Sequence, residues 1–181
     1  MINQVIEDLA EKLLVESNNF KAPIKPKLIA THLKISINEV DLEDNISGFL
    51  ALNNGTPKLG FNINHSENRQ RFTIAHELGH YILHAKHEPL FIDKNDKNNL
   101  IFNRDENSST GEKLKEREAN NFAAALLMPK KLLEEKINSS KRKNDLNKLV
   151  IELSGIFKVS THAMGIRLSQ LGYIDYNSIR D

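Results

Sequence analysis

The stretch RFTIAHELGHYILH, residues 71–84, contains two histidines four positions apart, with a glutamate directly after the first. In an α-helix, residues i and i+4 lie one turn apart on the same face, so His76 and His80 can direct their imidazoles at one point. Glu77 projects about 100° further around the helix, beside that point. The pattern H-E-x-x-H is typical of zinc sites in which the two histidines bind the metal and the glutamate is the general base. We therefore predict His76 and His80 as zinc ligands and Glu77 as the catalytic base.

The predicted helix around this motif, residues 66–85, has a polar side and an apolar side. The polar side carries Thr73, His76, Glu77, His80 and His84. The apolar side carries Phe72, Ala75, Leu78, Gly79 and Ile82. We predict that the apolar side faces the core and that the polar side is the reactive face. Glycine costs roughly 1 kcal/mol of helix propensity, and its missing side chain at position 79 predicts close packing by another element.

A catalytic zinc needs three protein ligands and one open coordination position, so the motif alone is incomplete. A second helical segment, EKLKEREANNFAAALLMP at residues 112–129, supplies candidates for the third ligand. Glu116 and Asn120 fall on one face of this helix. We predict that Glu116 is the third ligand and that Asn120 hydrogen-bonds a ligand imidazole and fixes its tautomer. Glu118 is the competing ligand, but it projects about 200° away from Glu116, as expected of a solvent-exposed side chain.

The rest of the chain predicts an α+β fold that is mostly helical. An amphipathic helix covers residues 3–16, and a short helix begins near Pro26. Three short segments rich in β-branched and aromatic residues predict a small antiparallel sheet packed on the H-E-x-x-H helix: LKISINEV, ISGFLALNN and PKLGFNIN. The last of these is the candidate edge strand to which a peptide substrate would add, an ordinary strand being the alternative. The polar residues 88–111 predict a loop or hairpin.

The C-terminal segment LVIELSGIFKVSTHAMGIRLSQLG, residues 149–172, predicts two short helices joined by a tight turn. Ser160 is a good N-cap and Gly172 a good stop, so the pair is helix-turn-helix-like. Lys158, however, occupies the turn position where such motifs usually have glycine, and Arg167 is the sole strong cation of the second helix. Direct DNA binding is therefore not expected. We predict a zinc-peptidase-like domain at residues 1–138 and a helical extension packed on it at residues 139–181.

Composition excludes several classes of protein. The chain has no cysteine, which rules out thiolate zinc sites, cysteine nucleophiles and disulfide scaffolds. Its formal net charge is +1, so no global field attracts it to nucleic acid or to a membrane surface. The N-terminal sequence lacks a basic region followed by an apolar run, and no stretch approaches membrane-spanning length. We expect a cytoplasmic protein without a membrane partner.

RFTIAHELGHYILH followed by EREANNFAAALLMP resembles the ImmA/IrrE family of metallo-endopeptidases. The first segment is similar to the zinc helix of that family and the second to its third-ligand helix. The resemblance implies a zincin-like fold, one zinc ion bound by His76, His80 and Glu116, and Glu77 as catalytic base. It also implies a substrate, because characterised members of the family act on DNA-binding repressors in phage, mobile-element or stress regulation.

The expected function is a zinc-dependent endopeptidase of narrow specificity whose partner is a helix-turn-helix repressor. Zinc would polarise the scissile carbonyl, and Glu77 would accept a proton from water and pass it to the leaving amine. Four residues are candidates for stabilising the oxyanion: His65, Arg71, Tyr81 and His84. The alternative is a non-proteolytic, antitoxin-like regulator that uses the same fold to bind a transcription factor or toxin. A DNA-binding protein with a relic peptidase domain is a third possibility, disfavoured by the neutral charge.

Overall fold

The computed structural model describes residues 3–53, 56–84, 90–94, 111–142 and 144–175. Over these residues the chain forms seven helices and four strands, which confirms the α+β class. The helices are α1 (Gln4–Glu16), α2 (Pro26–His32), α3 (Glu67–His84), α4 (Gly111–Leu127), α5 (Lys130–Ser139), α6 (Leu146–Phe157) and α7 (Thr161–Gln170). The strands are β1 (Ser36–Val40), β2 (Ile46–Asn53), β3 (Thr56–Asn62) and β4 (Leu90–Lys94).

Internal contacts divide the chain into two compact units. One is the continuous segment Lys25–Ala123, which contains the sheet and α3. The other combines Met1–Ile24 with Ala124–Asp181 and contains α1 and the three C-terminal helices. The predicted domain boundary between residues 138 and 139 stays a prediction.

The four strands form one mixed sheet in the order β1-β3-β2-β4. Strands β2 and β3 pair antiparallel, as predicted, and β2 also pairs antiparallel with β4. Strand β1, however, pairs parallel with β3, so the prediction of an entirely antiparallel sheet was wrong for this pair. The reason is that β3 inserts between β1 and β2, which are neighbours in sequence but not in the sheet. Turn signals identify consecutive strands and carry no information about such an insertion.

The segment predicted as an edge strand lies inside the sheet. Strand β3 has β1 on one side and β2 on the other, so both of its hydrogen-bonding edges are occupied and it cannot accept a peptide strand. The prediction that PKLGFNIN forms the edge was therefore wrong. Part of the segment predicted as a loop or hairpin, residues 88–111, is a strand, Leu90–Lys94, and Gly111 begins α4. The rest of that prediction lies outside the described residues.

The sheet packs on α3, as predicted. Gly48 of β2 marks a close approach, because a Cβ atom at that position would lie 2.5 Å from Cγ2 of Thr73 on α3. Hydrophobic side chains from the sheet and from α3 are fully buried between them: Leu50, Leu59, Phe61, Ile74 and Leu78. This layer of sheet on helix fixes the position of α3 and of the motif that it carries.

The buried side chain of Asn62 holds the connection from β1 to β2. Its Nδ2 lies 3.1 Å from the carbonyl oxygens of Leu42 and Glu43 and 2.9 Å from that of Ile46. Its Oδ1 accepts a hydrogen bond of 3.0 Å from the Asn64 backbone N–H. Asn62 is 0% exposed, so its side-chain amide is removed from water and depends on these main-chain partners for its hydrogen bonds. The Asn62 side chain thus ties the segment between β1 and β2 to the end of β3.

We expect the Asn62→Ala substitution to lower the free energy of unfolding by about 2–3 kcal/mol, because it removes the hydrogen bonds that a fully buried amide makes to the main chain. Urea denaturation of both proteins measures this difference. Asn64→Ala is the matched control, since the Asn64 side chain is exposed and contacts Asp41, and it should change stability by less than about 0.5 kcal/mol. Equal effects of the two substitutions would contradict the role given to Asn62.

The helix-turn-helix-like pair consists of α6 and α7. Ser160 caps α7, with its side chain accepting a hydrogen bond from the Ala163 N–H, as predicted. Lys158 ends α6 in the left-handed region, with φ of 52°, and Gly172 follows α7 with φ of 79°. The left-handed turn that usually requires glycine is therefore present, and a lysine adopts it.

Arg167, the strong cation of α7, is buried and engaged within its own unit. Its guanidinium donates to both carboxylate oxygens of Glu7, at 2.6 and 2.8 Å, and its Nε donates to the Met128 carbonyl at 3.1 Å. Only 2% of its surface is exposed. The arginine thus joins α1 to α7 and the end of α4.

No single helix among the described residues has the length and apolarity needed to cross a membrane. Helices α6 and α7 satisfy that criterion only when taken together, and they meet at an angle of 108°.

Candidate metal centre

Three predicted ligands meet between α3 and α4. Nε2 of His80 lies 3.0 Å from Nε2 of His76 and 3.1 Å from Oε1 of Glu116. The other carboxylate oxygen, Oε2, lies 3.4 Å from Nε2 of His76. Among the described residues, these three are the group of histidine and acidic side chains whose donor atoms converge closely enough to hold a metal ion.

The separations of these donor atoms fit zinc. Four tetrahedral ligands at 2.0–2.1 Å from a zinc ion lie about 3.3 Å from one another. The observed separations of 3.0–3.4 Å match that value closely. Two imidazole nitrogens and a carboxylate are also a usual donor set for catalytic zinc, with a fourth position left for water or substrate. The residues present therefore fit a single zinc ion.

Asn120 lies behind the first histidine, as predicted. Its Oδ1 is 3.0 Å from Nδ1 of His76. An amide oxygen only accepts hydrogen bonds, so Nδ1 carries the proton and Nε2 presents its lone pair to the other donor atoms. The α4 helix thus supplies both Glu116 and the residue that orients His76, from positions one turn apart.

Gly79 allows the two helices to approach closely enough for this arrangement. A Cβ atom at position 79 would lie 3.0 Å from Cα of Ala119, 3.1 Å from its carbonyl oxygen and 3.2 Å from Cβ of Phe122. The expectation that the missing side chain permits close packing is confirmed. Because Ala119 lies between Glu116 and Asn120, the contact sets the distance of both from the histidines.

The polar side of α3 is as buried as its apolar side. Glu77 is 0% exposed, and all other members of the predicted polar side are also buried: Thr73, His76, His80 and His84. The prediction that the apolar side alone is the buried side of the helix was therefore wrong. The reason is that the sheet covers one side of the helix while α4 covers the other. Glu77 lies inside the protein, next in sequence to the first ligand.

Burial and contacts leave the donor groups in the forms that bind a cation. Burial lowers the pKa of His80, although the neighbouring Glu116 opposes this shift, so the imidazole is neutral near pH 7. Burial by itself would raise the pKa of Glu116. The adjacent imidazoles of His76 and His80 outweigh this effect and hold that pKa well below its usual range. A neutral imidazole and an ionised carboxylate are the ligating forms.

The competing ligand, Glu118, is placed elsewhere. Its Oε2 lies 3.6 Å from Nε2 of His84, and its side chain is 31% exposed.

Two of the four candidates for oxyanion stabilisation face main-chain carbonyls. Nε2 of His65 lies 3.2 Å from the carbonyl oxygen of Asp44, and Nε2 of His84 lies 3.3 Å from that of Lys115. Of the predicted set, Arg71 and Tyr81 remain as candidates. Burial lowers the pKa of Arg71 and the charge of Glu67 opposes this shift.

The contact of His84 with α4 was not predicted. The sequence carried a partial signal, because residues 76, 80 and 84 repeat at helical spacing and so lie on one face. The partner is a backbone carbonyl, which has no counterpart in a sequence pattern.

The fold and the donor set together define a class: an α+β, zincin-like domain with a candidate metal site between two helices. Residues 30–169 match the family model Peptidase_M78, described as IrrE N-terminal-like domain, and the chain belongs to this family. No curated protein was found to match the chain significantly. The family match confirms the resemblance to ImmA/IrrE proteins and supports a metallopeptidase-type function.

We expect Gly79→Ala to weaken metal binding and to lower stability. The new methyl group would force α4 away from α3, at a cost of about 1–3 kcal/mol for overpacking. This exceeds the gain in helix propensity of about 1 kcal/mol. Zinc affinity from chelator competition and the unfolding temperature measure the two effects.

Gly155→Ala is the matched control, because Gly155 is also inside a helix but a Cβ atom there would have no neighbour within 4 Å. It should leave zinc affinity unchanged and raise stability by up to about 1 kcal/mol. Unchanged zinc affinity in Gly79→Ala would contradict the role of the close approach.

Proposed function

We propose that this protein is a zinc-dependent endopeptidase of narrow specificity. The observation that carries the proposal is the convergence of His76, His80 and Glu116 between α3 and α4, with Glu77 following the first ligand in an H-E-x-x-H sequence. A structural zinc site has closed four-ligand coordination and no need of an adjacent base. Three ligands with a neighbouring glutamate are the arrangement of a hydrolytic site.

Each residue has a distinct part in the proposed reaction. Nε2 of His76, Nε2 of His80 and the carboxylate of Glu116 would hold the ion. When bound, zinc supplies Lewis acidity, which polarises a carbonyl oxygen and makes water a nucleophile near neutral pH. The Glu77 carboxylate would accept the proton of that water and deliver it to the leaving amine nitrogen. Asn120 would keep the His76 ring in the tautomer that binds metal through Nε2.

The proposed substrate is a helix-turn-helix repressor, and the proposed location is the cytoplasm. The resemblance to ImmA/IrrE proteins suggests this substrate, because characterised members of that family act on such repressors, and the family match over residues 30–169 supports the resemblance. The net charge and the described part of the C-terminal helices offer little for direct DNA binding. The net charge of the chain is +1, and Arg167 of α7, the second helix of the helix-turn-helix-like pair, is hydrogen-bonded to Glu7. Specific binding normally requires several contacts to phosphates and bases. The repressor, and not DNA, is therefore the expected partner.

The competing function is a non-proteolytic regulator that binds a transcription factor or toxin through the same fold. It would require neither Glu77 nor an open coordination position. The burial of the ionisable Glu77 side chain beside the candidate ligands favours the enzyme, because burying a carboxyl group costs stability and the binding function gives no reason to retain it there.

Substitution of Glu77 by Gln distinguishes these functions, because it preserves shape and removes the base. The zinc-loaded wild type and the variant are incubated with a helix-turn-helix repressor encoded beside this protein, and with a proteome-derived peptide library. New N-termini are identified by mass spectrometry. We expect cleavage by the wild type, a loss of at least about 100-fold in the variant, and equal zinc content in both.

Two other results would oppose the proposal. Equal cleavage by wild type and Glu77→Gln would remove the glutamate from the mechanism. A stable complex of both proteins with the intact repressor, without any cleavage, would support the binding function instead. The substitution Glu118→Gln is the control, since that carboxylate faces His84 and should not affect turnover.

A further inference from the structure

His84 is the last residue of α3 and lies one turn beyond the second predicted ligand. It is only 7% exposed, so its imidazole is almost completely removed from solvent. Its Nε2 faces α4, at 3.3 Å from the carbonyl oxygen of Lys115 and 3.6 Å from Oε2 of Glu118. The proposed reaction gives this buried polar side chain no part.

The carbonyl is the hydrogen-bond acceptor, and the carboxylate is a nearby charge. The 3.3 Å to Lys115 O is the length of a long hydrogen bond, whereas the 3.6 Å to Glu118 is too long for one. A carbonyl oxygen only accepts, so Nε2 of His84 carries the proton and donates it. Burial also lowers the pKa of His84, although the Lys115 carbonyl and Glu118 oppose this shift. The neutral ring has one N–H to donate, and this geometry directs it at the α4 main chain.

The position of that carbonyl gives the contact its significance. Lys115 directly precedes Glu116, the acidic residue of the metal cluster. On the other side of Glu116, Ala119 packs against Gly79, and Asn120 contacts His76. The turn of α4 that carries Glu116 is therefore held to α3 at both ends. His84 provides the polar contact at one end, and the close approach at Gly79 provides the contact at the other.

We propose that His84 is a positioning residue for the metal site: its Nε2–H holds the Lys115 carbonyl and thereby keeps the Glu116 carboxylate within binding distance of His76 and His80. The inference rests on the proposed zinc site. It gives His84 a defined task that is neither ligation nor proton transfer.

The first measurement is the zinc affinity of His84→Leu and His84→Gln, obtained by competition with a chromophoric chelator well below each unfolding temperature. Leucine fills the site without a donor, whereas the glutamine amide can place an N–H close to the original Nε2. We expect zinc affinity to fall by about 10–100-fold in His84→Leu, as for other residues that orient metal ligands, and to recover most of this loss in His84→Gln. An affinity of His84→Leu within threefold of wild type would overturn the proposal, as would a glutamine variant as weak as the leucine variant.

Glu118→Gln is the matched control, because it removes the neighbouring charge and leaves the carbonyl contact intact. Its zinc affinity should stay within about threefold of wild type, since the charge is partly exposed and screened. If it instead falls as far as in His84→Leu, the carboxylate and not the Lys115 carbonyl carries the effect, and the proposal fails.

Amide hydrogen exchange of the metal-free proteins separates this inference from the proposed function. We expect faster exchange in the peptide that contains residues 115–120 of His84→Leu, and wild-type exchange there in His84→Gln. If the wild type binds no zinc, the proposed function fails, and the exchange experiment still decides whether His84 holds this turn. Equal exchange in all three proteins would overturn the positioning role even if zinc binds.

Discussion

The close approach of α3 and α4 at Gly79 is the constraint on which the candidate site depends. The backbone of Ala119 occupies the space that a side chain at position 79 would fill. This contact brings a carboxylate from one helix within 3.1–3.4 Å of two imidazole nitrogens on the other. The sheet supports this arrangement by packing on α3.

Burial of the polar side of α3 gives the site its chemical character. Imidazoles removed from water lose the proton that would block metal binding, and burial accordingly lowers the pKa values of His80 and His84. Glu116 is the one more exposed member of the cluster, and its contacts with the histidines keep it ionised despite partial burial. A dication would therefore enter a site with neutral nitrogen donors and one negative charge. Electrostatic interactions in such a poorly hydrated place are stronger than at the surface.

Local patterns in the sequence predicted the local features of the structure. Helical spacing predicted that the two histidines share one face and that Glu116 and Asn120 lie one turn apart. The capping residue Ser160 predicted the start of α7. The features that were missed are non-local. The insertion of β3 between β1 and β2 depends on pairing across the sheet, and the burial of both sides of α3 depends on elements distant in sequence. The partner of His84 is a backbone group, which every residue possesses and which no pattern identifies.

Zinc content per chain, measured by elemental analysis after equilibration with zinc and removal of the excess, tests the central claim most directly. The comparison includes wild type, His76→Ala, Glu116→Ala and Glu118→Ala. The structure predicts one zinc in wild type and in Glu118→Ala, because that carboxylate lies near His84, and markedly less in the other two variants. A full complement of zinc in Glu116→Ala, or none in the wild type, would contradict the assignment of the metal site to His76, His80 and Glu116.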